Sequence, residues 1–157
     1  LVFQGSTLAF DLLNCSAMGW LLLLRQGGAS ISATHPYAQF CSRPQDRLDR
    51  AVVCFNGLQN NKKWPYRDMV LDFVSRFWCL RSMSGSPDVM MVASGQADVW
   101  IEPSAKPWDL CPMKVIVEEA GGKFFNFQGT DSIYAGNALV CTPAFEQLLR
   151  DTFVGKF

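Results

Sequence analysis

Glu102 and Asp109 are the residues whose type and spacing best suit chemistry on a ligand. They flank a connection bounded by Pro103 and Pro107, which can fold both carboxylates toward one pocket. Such a pair can hold a hydrated Mg2+ ion and a sugar or polyol hydroxyl, because Mg2+ takes hard oxygen ligands and keeps part of its water shell. Plainer roles are open for both: Glu102 as a solvated loop residue, and Asp109 as the N-cap of a helix. A second constellation is the SMSGSP turn at 82–87. It follows a strand and opens a helix, so the backbone N–H groups of Ser84, Gly85 and Ser86 can cradle a phosphate. An ordinary turn uses the same residue types. His35 is the only histidine and lies beside Pro36 in a loop-like stretch, which reads as a surface position and not as a ligand or base.

These side chains depend on a strand–turn–helix–strand unit over 97–125. Val99–Ile101 is a short apolar strand. A helix is expected from about Asp109 to the Gly121–Gly122 pair, with Pro112 tolerated in its first turn and Gly121 in the left-handed position that ends it. Leu110, Met113, Val117 and Ala120 form one apolar face, widened by Val115 and Ile116, so the helix is expected to be buried on most sides. Lys123–Phe127 then runs extended. Upstream, Ala51–Phe55 and Trp78–Arg81 read as strands. Met69, Phe73 and Phe77 recur at helical spacing within a helix over 66–77, and Asp88–Ser94 is a shorter helix stopped by Gly95. Downstream, Phe124–Asn126 and Ala138–Cys141 read as strands, and Thr142–Pro143 begins a helix through Asp151. Strands alternating with helices imply an α/β layer. Toward the N-terminus, Thr7–Leu13 and Trp20–Leu24 read as an antiparallel hairpin, with Ala29–Ala33 as a third short strand. The first six residues, LVFQGS, resemble an expression-tag remnant, which leaves 7–157 as one domain: 7–50 a residual antiparallel sheet and loop, 51–157 the α/β layer.

Composition narrows the function classes. The 49% hydrophobic and 18% charged fractions describe a globular chain long enough to bury a core. Fourteen basic and fourteen acidic residues cancel, which removes the electrostatic case for nucleic acid or an anionic membrane surface. The apolar run GWLLLL at 19–24 is too short to span a bilayer. Six cysteines without a CxxC pair argue against zinc and against a secreted disulfide framework, and fit a cytoplasmic setting.

WDLCPMKVIVEEAGG at 108–122 resembles the Trp-Asp…Glu-Ala-Gly-Gly signature of the inositol monophosphatase family of magnesium-dependent, lithium-sensitive phosphatases. GQAD at 95–98 is similar to the family's Gly-x-Ala-Asp, and YAGNALVC at 134–141 to its Gly-Asn-containing strand. AFDLLNCSAMGWLLLLRQGGAS at 9–30 resembles its hairpin ending in Gly-Gly-Ala. The resemblance covers roughly residues 8–150. It implies an α/β sandwich like the C-terminal part of that fold, a phosphomonoester hydrolase and Mg2+ as cofactor. It also implies a metal-ligating, catalytic role for Asp109 and a substrate-contacting role for Glu102. The turn at Ser84, Gly85 and Ser86 falls on the substrate side.

The family's Asp-Pro-Ile/Leu-Asp-Gly-Thr string has no counterpart here, and of its usual metal ligands only Asp109 does. The expectation is therefore a C-terminal portion of such a phosphatase, inactive alone and completed by another chain or by a lost N-terminal half. The alternative is a non-catalytic structural or interaction module. A hairpin at 7–24 without its neighbouring strands would present an unpaired edge and several leucines, so self-association there is expected. A phosphorylated small molecule is the expected ligand, with no nucleic acid or membrane partner.

Overall fold

Val52–Phe55 (β1) alternates its side chains between two packed faces, and that alternation sets the architecture. In the computed structural model, which describes residues 45–55 and 67–156, Val53 and Phe55 enter one core and Val52 and Cys54 the other. The remaining elements are helix α1 (Arg67–Ser75), β2 (Cys79–Arg81), α2 (Ser86–Ala93), β3 (Val99–Glu102), α3 (Pro107–Glu119), β4 (Lys123–Phe125), β5 (Ala138–Cys141) and α4 (Glu146–Phe153). The strands form one sheet in the order β2-β1-β3-β5-β4. β1 is parallel to both β2 and β3, whereas β5 is antiparallel to both β3 and β4. The strands expected at 51–55, 78–81, 99–101 and 138–141 are present. The extended run expected to Phe127 ends as a strand at Phe125.

Helices cover both faces, as a sheet buried on two sides requires. On one face Phe73, Val74 and Phe77, in and just after α1, meet Leu149 and Phe153 of α4 over Val53, Val99, Ile101 and Leu139. On the other, Val89 and Val92 of α2 and Leu110, Met113 and Val117 of α3 pack over Cys54, Trp100, Phe124 and Val140. The result is a layered α/β sandwich. The N-terminal hairpin, the 29–33 strand and His35 lie outside the described residues. No helix among the described residues is long and apolar enough to cross a membrane.

Three expectations are corrected. Helix α3 begins at Pro107, two positions before Asp109: a proline at the first helical position has a preset φ and no N–H to leave unsatisfied, so Lys106 is the N-cap. Likewise α2 begins at Ser86 and not at Asp88, since Pro87 fits the first turn. Third, α3 is buried on one face only. Val115 remains 39% exposed, opposite the Leu110–Val117 stripe. The helix end follows the expectation: Gly121 has φ +85°, its N–H donates to Glu118 O and that of Gly122 to Val117 O, the paired bonds of a Schellman motif. Downstream, Thr142 starts a short 3-10 turn (Pro143–Phe145) ahead of α4.

Candidate functional site

The carboxyl ends of the parallel strands are where an open α/β sheet receives ligands, since the chain leaves the sheet there on both sides of a crevice. A cavity of about 450 Å³ lies at that end. Ser84, Gly85, Ser86 and Pro87 line it from the turn after β2, Trp100 and Glu102 from β3, Ser104 and Ala105 from the following connection, and Asp109 and Met113 from α3. All five residues singled out by sequence, Ser84, Gly85, Ser86, Glu102 and Asp109, therefore surround one space.

Each is held by an identifiable local device. Glu102 ends β3 on the α2–α3 face and is 5% exposed. Its Oε1 accepts from Ser104 N–H at 3.1 Å, which folds the connection back over the strand end. This corrects the picture of a solvated loop residue. Asp109 is the third helical residue of α3 and exposed, so it does not cap the helix from in front as expected. Its Oδ2 instead accepts from Lys106 N–H at 3.4 Å, a first-turn carboxylate reaching back to the cap. A negative charge there also suits the positive end of the helix dipole. Asp109→Asn is expected to change unfolding free energy by less than about 0.5 kcal/mol, and Asp109→Ala by no more than about 1 kcal/mol, measured by urea denaturation. Equal and larger losses from both would mean a charge pair or bound cation at this position.

Two residues of this region were not singled out beforehand. Trp100 is fully buried, and its indole Nε1–H has no hydrogen-bond partner among the described residues, although Trp100 forms part of the cavity wall. Asp88 is also fully buried, directly behind the turn. Its Oδ1 accepts from Met83 N–H at 2.8 Å and its Oδ2 from Ser84 N–H at 3.2 Å. Burial raises the Asp88 pKa above the ordinary aspartate value, while these two bonds and the Cys54 thiol act in the opposite sense. Burial also pushes the Cys54 thiol up to about 12, with the adjacent Asp88 charge adding to the effect, so it is neutral near pH 7. The sequence signal for Asp88 was slight: an acidic residue in the first turn of a helix that follows a small-residue turn.

Farther from the cavity, Asp98 stitches the sheet. Its Oδ2 accepts from Val52 N–H at 2.8 Å, and its backbone oxygen accepts from Thr142 N–H at 2.9 Å. The aspartate of GQAD thus joins β1, β3 and β5 at the end of the sheet away from the cavity.

The donor set at the cavity consists of hard oxygens: two carboxylates and three serine hydroxyls, of Glu102, Asp109, Ser84, Ser86 and Ser104. That set suits a hydrated Mg2+ carried with a phosphate, since Mg2+ is commonly bound through one or two carboxylates plus substrate oxygens. No cluster of three or more His, Cys, Asp or Glu side chains placed to hold a metal occurs among the described residues.

The sequence pattern of the inositol monophosphatase family matches residues 31–154. A histidinol-phosphatase of Mycobacterium tuberculosis is 25% identical over 120 residues, covering 76% of this chain and 46% of that protein. One of Streptomyces coelicolor is 32% identical over 91 residues, covering 58% of this chain and 34% of that protein. Among solved structures, the inositol monophosphatase of Anabaena superposes with a TM-score of 0.61 at 21% identity, over 69% of this chain and 45% of that one. The inositol monophosphate-bound SaIMPase-II gives 0.60 at 20% identity, over 69% of this chain and 43% of that one. The chain spans less than half the length of these relatives. With its pattern matched across most of its length and the same layered fold beneath the cavity, this chain belongs to the inositol monophosphatase family.

Proposed function

We propose that the cavity is the substrate side of a magnesium-dependent phosphomonoesterase site, taking a phosphate ester of a small hydroxylated molecule. The observation that carries this reading is the convergence of Glu102, Asp109 and the Ser84–Ser86 turn on one space at the carboxyl ends of the parallel strands. The relatives named as histidinol-phosphatases and the structure holding inositol monophosphate support the same ligand class. Glu102, desolvated at the strand end, accepts from a substrate hydroxyl and fixes the orientation of the leaving group. The turn at 84–86 directs its backbone toward the ester. Asp109 would be the residue of this chain that holds the ion. When bound, Mg2+ supplies electrophilic stabilisation of charge on the phosphoryl and leaving oxygens.

Calorimetric titration of inositol monophosphate in Mg2+ buffer tests this proposal. Glu102→Gln keeps the shape but removes the charge that strengthens the bond to a hydroxyl donor. Its affinity is expected to fall roughly tenfold or more. An unchanged affinity would remove Glu102 from the site.

A further inference from the structure

The turn that faces the cavity has an unusual backbone. Ser84 has φ +77° and Gly85 φ +60°, two successive residues in left-handed territory, of which only the second is a glycine. A side-chain-bearing residue there costs on the order of 1–2 kcal/mol, so something must hold it. The two N–H groups just before Gly85, those of Met83 and Ser84, are both taken by the buried carboxylate of Asp88. Bonds to an ionised acceptor are roughly twice as strong as neutral ones, enough to offset that strain.

We propose that Asp88 is a positioning residue for ligand binding: by anchoring Met83 and Ser84 from behind, its carboxylate forces the turn to present Gly85 and Ser86 to the cavity. Asp88 itself does not line the cavity, so it acts only through the backbone it holds. The space in front of Gly85 is open: a Cβ there would come no closer than 4.0 Å to Met113 Cε. A ligand oxygen can therefore approach this backbone.

The groups facing Asp88 are Met83 and Ser84 N–H from the turn and the Cys54 thiol from β1, with Arg81 acting on that thiol from β2. Because burial raises its folded-state pKa, the protonated form is favoured in the folded protein. The associated destabilisation is absent below the unfolded-state pKa and grows as pH rises from that value to the folded one. In the folded protein ionised Asp88 is therefore less favoured than its protonated form, although it is the ionised carboxylate that holds the turn most strongly. In a positioning residue the loss of binding is relieved when the strain of the turn is relieved; a residue serving stability alone shows no such recovery.

The proposal rests on the cavity being a phosphate-ester site, and the test separates the two readings. Inositol monophosphate and inorganic phosphate are titrated in Mg2+ buffer into the 157-residue chain and into Asp88→Asn, alongside urea denaturation and amide NMR. Asparagine offers one acceptor oxygen in place of two, so one of the Met83 and Ser84 amides loses its partner. The expected result is about tenfold weaker binding of the ester and altered Met83 and Ser84 amide shifts. Adding Ser84→Gly to Asp88→Asn is expected to recover part of the affinity, read against Ser84→Gly alone to account for the lost hydroxyl, since glycine takes the left-handed conformation without steric cost. Equal ester affinity in parent and Asp88→Asn overturns the positioning role alone. Losses of affinity and stability in parallel, without rescue by Ser84→Gly, also overturn it. A parent chain that binds neither probe overturns both readings.

Discussion

The isolated chain is expected to hydrolyse inositol monophosphate no faster than Mg2+ buffer alone, a shortfall of several orders of magnitude from an ordinary enzyme. Metal-assisted phosphoryl transfer needs ions fixed on both the attacking and the leaving oxygen. Mg2+ gives up its water shell reluctantly, so each ion requires well-placed carboxylates. Here Asp109 and Glu102 must serve both ion and substrate, and Asp109 is exposed on the first turn of α3. Phosphate release from the purified chain at millimolar Mg2+ is the measurement. Turnover at about 1 s⁻¹ or more, abolished by Asp109→Asn, would show that the chain carries a complete catalytic site. Ester binding without turnover would leave it as a substrate-binding half, and the absence of both would favour a structural or interaction module.

The largest loss of stability is expected from Phe153→Ala, about 3–5 kcal/mol by denaturant unfolding. Phe153 is fully buried at the end of α4. Its ring meets Phe73 edge-on at 5.0 Å and stacks on Phe127 at 5.7 Å, so it ties α1 and the segment after β4 to the last helix. Truncation removes transfer energy, leaves a void and deletes two aromatic contacts. Against a typical total of about 5–15 kcal/mol, this would leave the domain marginal at best. Phe153→Leu is expected to recover more than half of the loss. A change below about 1 kcal/mol for the alanine variant would mean that α4 is not integral to this core.

Most strands were legible because β1, β3 and β5 are buried on both faces and read as short uninterrupted apolar runs. Two helix starts were misplaced where a proline stands in the first turn. Pro87 and Pro107 look like breakers in sequence, but they open helices in the fold. The pairing of β5 between β3 and β4, antiparallel to both, had no local trace, since register depends on contacts distant in sequence. At the site, Glu102, Asp109 and the 84–86 turn stood out by residue type and by family likeness. Asp88 did not. An aspartate near the start of a helix is commonplace, and its importance here comes from burial and from the twist of the turn before it.

The interleaved strand order also governs how the chain can be assembled. β3 lies at the centre of the sheet, but one of its neighbours, β5, comes from the last quarter of the described chain. The Asp98 tie to Val52 and Thr142 likewise closes a loop spanning nearly all of it. Among the described strands, β1, β2 and β3 are synthesised before β5, and β3 lacks this antiparallel neighbour until β5 leaves the ribosome. High contact order of this kind slows folding and prolongs the exposure of apolar strand edges. Expression is therefore expected to depend on chaperone capacity during translation more than the size of the finished domain would imply.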